Sequence, residues 1–386
     1  VTRGSLDRDA RAEVDRLARL GLARAPTGAG AGLDLVTNDY LGLRDDPRVL
    51  AAARAALERR GLGAGAARLL GGDHPEHRAL EAAFARAHGE EAAVLFPSGS
   101  AANQGVLGAL LRPGDLAVCD ARNHGSLVDG VRLSRARRAI VPHGDVLAVE
   151  DALRKDAGGG RRFVVLEGVH GMEGDVAPLA DLADVCRRLD ALLVVDEAHA
   201  AGVVGPDGAG AAALAGVEDV VAARVVPLGK AFGGAGGVVT ASAAVCDEVV
   251  HRARAYLFAT ALPPAVAAGV AEAHRLARAE PERRARATAL ARRLAGVLEE
   301  AGARVAGRGA AVVSWILGSA AAALDAAAAL RARGVEARAV RPPTVPEGEA
   351  RVRLSCHASP SDAEVERAAE ALREAATRAA AVPARG

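Results

Sequence analysis

Apolar and polar positions follow two periods along this chain. Residues 6–22 set apolar side chains at helical spacing among charges and predict an amphipathic N-terminal helix. A flexible glycine joint (28–32) and a short strand (33–36) follow. Helices are then expected from Pro47 to about Arg60 and, past the glycine-rich stretch 61–72, over 76–88. Beyond these, short apolar runs recur and each ends in a polar loop. Residues 93–96 lead into PSGSAANQ, 116–119 into DARNHGS, and 163–166 into EGVHGMEGD; 192–195 lead into DEAH, and 220–228 into Gly229-Lys230. Apolar strands alternating with helices predict a mostly parallel sheet covered on both faces.

Residues 256–264 (YLFATALPP) read as a boundary. One long charged helix (264–301) is expected next, then a strand near 311–317, an alanine-rich helix (320–333), a strand at 351–356 and a last helix at 362–380. The expected architecture is α/β: an N-terminal helix and arm (1–45), a large sheet domain (46–264) and a smaller α+β domain (265–386).

The length of 386 residues supports more than one domain. A net charge of +1 without a long basic run, and only 2% aromatic residues, exclude a nucleic-acid or acidic-membrane surface. Cys119, Cys186, Cys246 and Cys356 lie far apart and form no CxxC, so a reduced, cytoplasmic protein with buried thiols is expected. The N-terminal stretch is charged from Arg3 onward and has no apolar signal region. The longest uncharged stretch, 92–111, contains Pro97, Ser98, Gly99, Ser100, Asn103 and Gln104 and is rejected as a membrane span.

Chemistry concentrates at the strand ends, where open α/β sheets bind ligands. Asp196 closes one apolar run and His199 follows three residues on. Lys230 closes another, and it is one of two lysines in a chain whose other 47 basic residues are arginine. A primary amine can lose its proton and attack a carbonyl, which a guanidinium cannot. The DEAH string suggests a helicase-type ATPase, but the phosphate loop that activity needs upstream is absent, and the only Gly-Lys pair lies downstream before Ala231. A metal hydrolase built on Asp196, His199, His124, His170 and Glu167 has no recognisable ligand spacing and leaves Lys230 idle. No metal site is expected; the hydrolase stays as the competing reading. Pyridoxal 5'-phosphate gives every group a task. Lys230 would form a Schiff base, Asp196 would hold the pyridine nitrogen protonated, and Ser98-Gly99-Ser100 before a helix would bind phosphate.

The ordered set SGSAAN, NHGS, EGVHGMEGD, DEAH and LGK, together with NDYLGL, GAGAARLLGGDHPEHRALE and YLFATALPP, resembles the α-oxoamine synthases, pyridoxal-phosphate enzymes of fold type I. The resemblance spans residues 38–354. It implies that Lys230 carries the cofactor and moves the substrate α-proton, that Asp196 pairs with the pyridine nitrogen, and that His199 bonds the ring hydroxyl. His124 would stack on the ring, while Gly99 and Ser100 hold the phosphate. Thr260 would reach the phosphate of a neighbouring subunit, which implies a homodimer. Arg353 would bind the substrate carboxylate, with Asn38, Thr344 and Arg24 near the substrate. Residues 341–354 (RPPTVPEGEARVRL) point to the member that condenses L-alanine with a pimeloyl thioester, as the CoA or carrier-protein form. Two positions depart from the family. Pro227 stands where a Thr or Ser hydroxyl meets the phosphate, a task Ser100 is expected to take over. His170-Gly171 replaces an aromatic residue and a serine.

Overall fold

The helix α1 (Arg3–Arg19) is capped by Thr2 and buries none of its residues. A two-residue strand, β1 (Leu33–Asp34), precedes α2 (Pro47–Arg60) and α3 (Pro75–His88), both of which open on proline. Proline suits that place because the first N–H groups of a helix have no intrahelical acceptor. The structure is a computed structural model and describes residues 2–26, 28, 30 and 32–381. Residues 29 and 31 of the expected glycine joint lie outside the described residues.

The central sheet takes seven strands: β2 (Ala92–Phe96), β3 (Leu116–Asp120), β4 (Arg137–Val141), β5 (Arg162–Glu167), β6 (Leu192–Asp196), β7 (Val221–Pro227) and β8 (Gly237–Ala241). Their order is β2-β8-β7-β6-β5-β3-β4. Every pair is parallel except those of β8, which runs antiparallel to both β2 and β7. Val118, Val164, Leu166 and Val195 point into one core, while Ala117, Phe163, Val165 and Val194 point into another. Both faces are covered, which is why these strands read as unbroken apolar runs. Among the helices, α4 (Gly99–Leu110) and α5 (Gly125–Ser134) follow β2 and β3 directly.

A second sheet is antiparallel. It contains β9 (Arg304–Ala306) and β10 (Val312–Gly318); then, after β11 (Val335–Glu336), which pairs with β1, come β12 (Arg338–Val340) and β13 (Ala350–Ser355). Its own core gathers Leu294, Trp315, Leu330, Val352 and Leu372, with Leu35 from the arm.

Two features differ from expectation. The single charged helix over 264–301 is two helices, Pro264–Ala279 and Pro281–Glu300. Pro281 lacks an N–H and its ring crowds the preceding turn, so the first helix must stop at Glu280. Arg283 fastens the break by donating to Glu280 at 2.7 Å and to Asp46 at 2.8 Å. The first of these helices packs on α2 and α3. In addition, β4, β8, β9, β11 and β12 exist where no strand was expected. All four cysteines are buried and unpaired. Among the described residues, no helix is long and apolar enough to cross a membrane.

Candidate active site

Parallel pairing brings the C-terminal strand ends to one edge of the sheet. Glu167 of β5 and Asp196 of β6 are register partners there. Asp196 is 2% exposed and accepts from Asn103 Nδ2 at 2.7 Å and from the Ala198 N–H at 2.9 Å. Asn103, on α4, donates to Ser126 Oγ as well. These donors fix the carboxylate as an oriented anion. His199 lies in the turn after β6, its Nδ1 2.6 Å from the Tyr40 hydroxyl. Burial, helped by the charges of Lys230 and Arg353, holds its pKa well below the usual imidazole range, so the ring is neutral. Lys230 follows β7. Among the described residues its amine makes neither a hydrogen bond nor an ion pair. Burial lowers its pKa against the opposing pull of Asp196 and Glu167.

Glu167 accepts from the N–H groups of His124 at 2.8 Å and Gly171 at 3.1 Å. Burial first, and Asp196 second, push its pKa up to about 8. Because the folded value lies above the unfolded 4.5, this group's contribution to stability is fully present below 4.5 and is lost as pH rises through about 8. The thermal midpoint of Glu167→Gln, which cannot ionise, should therefore fall less between pH 6 and 9 than that of the parent chain. Parallel midpoint curves across that range would refute the assignment.

Arg353, on β13, sits at the centre of a polar network. Its Nε donates to Gly171 O at 2.6 Å, Nη1 to Ser355 Oγ at 2.8 Å, and Nη2 to Asn38 Oδ1 at 3.2 Å and the Tyr40 hydroxyl at 3.4 Å. A cavity of about 850 Å³ opens beside it, lined by His124, Glu167, Gly171 and His199 at its polar end. Val14, Leu17 and Leu22 form an apolar wall, and Arg24 donates to Thr344 Oγ1 at 3.1 Å at the rim.

On the other side, Ser98 caps α4 by accepting from the Ala101 N–H. The N–H groups of Gly99 and Ser100 find no acceptor among the described residues, so they are available to an anion at the positive helix end. A Cβ on Gly99 would come within 2.6 Å of the Pro227 ring. Only a glycine lets the helix start that close to β7. Ser100 is exposed on the first turn. Thr260 is exposed, bridges Ala67 and does not line the cavity.

The sequence-singled residues thus fall into three places. His124, His199, Arg24 and Thr344 line one cavity, with Asn38, Asp196, Lys230 and Arg353 in contact with or in the electrostatic field of its residues; Gly99 and Ser100 open α4 with N–H groups free among the described residues; Thr260 stands apart. An oriented buried carboxylate, a neutral imidazole, an unpartnered amine and a helix N-terminus fit the four polar points of pyridoxal phosphate. The competing hydrolase fares worse. Among the described residues, the one cluster with metal-ligand geometry is Asp120, His143 and His170, which includes neither Asp196 nor His199.

Residues 31–372 match the family model for class I and II aminotransferases. The chain belongs to that family. Within it, the chain falls among the α-oxoamine synthases. It is 44% identical to the 8-amino-7-oxononanoate synthase of Anaeromyxobacter dehalogenans, over 95% of this chain and 94% of that one. It is 45% identical to the enzyme of the same name from Methylobacterium nodulans, over 92% and 90%. A solved structure of serine palmitoyltransferase from S. paucimobilis, with bound PLP–myriocin, superposes with a TM-score of 0.92 at 28% identity, covering 99% of this chain and 100% of that one. The type I fold expected from the motifs is thus the family's fold.

Sequence reasoning missed Tyr40, Asn103, Ser126 and Ser355. Tyr40 meets His199 across 159 positions and Asn103 meets Asp196 across 93, so no local spacing announces either pair.

Proposed function

We propose that this chain condenses L-alanine with a pimeloyl thioester, as the CoA or carrier-protein form, and releases the thiol and carbon dioxide to leave 8-amino-7-oxononanoate for biotin synthesis in the cytoplasm. The observation that carries this reading is the unpartnered amine of Lys230 beside an oriented Asp196, in a chain whose curated relatives with this activity share 44–45% identity over nearly its whole length. Pyridoxal 5'-phosphate, when bound, supplies a sink for the electron pair left on the α-carbon.

The chain's residues do the rest. Lys230 Nζ would hold the cofactor and, as a free amine, would take the α-proton. Its burial keeps part of the amine neutral for that task. Asp196, aimed by Asn103, would hold the pyridine nitrogen in its protonated form. His199, aimed by Tyr40, would bond the ring hydroxyl, and His124 would cover the ring. Gly99 and Ser100 would hold the phosphate, Ser100 supplying the hydroxyl that Pro227 lacks. Arg353 takes the substrate carboxylate on its planar fork, with Asn38 beside it. Arg24 and Thr344 stand at the mouth. The apolar wall of Val14, Leu17 and Leu22 suits a methylene chain.

Thr260 completes the site of a second copy. In support, Leu62 (85% exposed), Leu69, Leu70 and Phe258 (72% exposed) lie in the segments joined by the Ala67–Thr260 bridge, an apolar face suited to burial in a homodimer. Mixing a Lys230→Ala chain with a Thr260→Ala chain should restore part of the activity, because one composite site is then intact. Full activity in a demonstrated monomer would rule the shared site out.

The function itself is tested by steady-state rates against a panel of amino acids and acyl-CoAs. L-Alanine with pimeloyl-CoA should give the highest kcat/KM. A preference for glycine, serine or another acyl chain would move the enzyme elsewhere among the α-oxoamine synthases. Loss of activity to chelators with indifference to pyridoxal phosphate would restore the hydrolase.

A further inference from the structure

Three parallel strands deliver a second polar cluster next to the site. Asp120 ends β3; His143 lies in the turn after β4; His170 and Asp175 lie in the loop after β5. Because β3 pairs with β4 on one side and β5 on the other, these three loops meet. His143 Nδ1 is 3.0 Å and His170 Nε2 3.7 Å from the same oxygen, Asp120 Oδ2. The two rings stand edge to face with centroids 4.3 Å apart. Their outer nitrogens both turn to Asp175, His143 Nε2 at 3.1 Å and His170 Nδ1 at 3.9 Å.

His170 is 1% exposed, and neither of its nitrogens has a hydrogen-bond partner. Asp175 Oδ1 is buried and unpartnered as well. Leaving a buried polar group unsatisfied is costly, so a ring with both nitrogens orphaned calls for a further ligand. The donors identify it. Two imidazole nitrogens and one carboxylate oxygen suit a borderline-soft divalent ion. Bonds of about 2.0–2.1 Å in tetrahedral geometry separate neighbouring ligand atoms by about 3.3 Å, and the two ligand distances to Asp120 Oδ2 bracket that value. A carboxylate against the outer nitrogen of each ligating histidine is the usual way such rings are oriented. Two carboxylates also supply the two negative charges that one divalent ion neutralises. A pocket of about 20 Å³, lined by Asp120, His170, Val141 and Leu166, has room for a single water as fourth ligand.

We propose that Asp120, His143 and His170 bind one zinc-class divalent ion, with Asp175 as the outer partner of both imidazoles. The site is structural. It ties together the loop that carries His124 and the loop whose Gly171 bonds Glu167 and Arg353. Binding exchanges the ion for any proton His143 carries, which passes to solvent.

The test uses the holoenzyme after dialysis against chelator and removal of free cofactor. Titration with Zn²⁺ should show one saturable equivalent per chain and raise the thermal midpoint, and Co²⁺ should add the visible bands of four-coordinate cobalt. His170→Phe should lose binding by at least about 100-fold while keeping its cofactor absorption. Asp175→Asn, which leaves all three ligands in place, should weaken it by about 10–100-fold. No saturable Zn²⁺ in the parent chain, or unchanged affinity in the variants that fold, would overturn the proposal. Because every readout is metal binding or stability, its failure would leave the condensation reading untouched.

Discussion

Exchange of Lys230 for alanine is expected to cut turnover by at least about a thousandfold while the chain stays folded. The side chain has no hydrogen-bond partner among the described residues, so its removal orphans nothing, and trimming a half-buried lysine leaves the apolar packing of Leu228 and Ala231 intact. Lost instead is an amine whose pKa burial has lowered, which places neutral nitrogen within the reach of Asp196 and Glu167. No neighbour replaces it. The nearby nitrogen groups are the Arg353 guanidinium, which does not deprotonate, and the imidazole of His199, which burial keeps neutral. Borohydride reduction of the parent holoenzyme followed by peptide mapping should place the label on Lys230, and the alanine variant should take none. Label on another residue, or activity within tenfold of the parent, would sink the central assignment.

Asp196→Asn should be nearly as damaging, with kcat down by about 10²–10³-fold. The carboxylate accepts from Asn103 Nδ2 and from the Ala198 N–H, so both of its oxygens are committed as acceptors. An asparagine must turn its own NH2 toward one of those donors or, flipped, toward the other; either way a buried donor faces a donor. The negative charge proposed to hold the pyridine nitrogen protonated disappears at the same time. The cofactor should remain attached, because Lys230 and the helix seat at Gly99 are unchanged. The check is a kcat measurement on cofactor-saturated variant, with KM for the amino acid followed alongside. A kcat within tenfold of the parent would show that Asp196 only orients its neighbours.

Much of this site could be read from the chain because its residues close apolar runs. Asp196, Lys230 and the Ser98 cap each stand where a buried strand gives way to a polar turn, and strand ends are where a parallel sheet offers its backbone to ligands. The parts that escaped notice lack that signature. The β4 strand carries Arg137 and Arg138 on an edge with exposed faces, so no apolar run betrays it. The β8 strand emerges directly from the glycine turn after Lys230 and runs against its neighbours, contrary to the alternation that revealed the others. The break at Glu280 was visible as Pro281, but the charged helical period on either side masked it. Tyr40, Asn103 and Ser355 belong to a network whose partners meet only in the folded chain, so they could be read from the coordinates alone.

The tight approach of Gly171 to His199 has a bearing on how this enzyme can change. A Cβ at position 171 would lie 2.5 Å from His199 Nε2, and His199 cannot easily swing away because Tyr40 holds its other nitrogen. Placing a serine at 171 is therefore not a one-step move. It would first require a shift of the loop or of the imidazole. Positions 171 and 199 are therefore coupled: a side chain at 171 needs a compensating change at or around 199. A directed-evolution library that varies 170 and 171 together with 199 should recover active combinations that single-site scanning would discard.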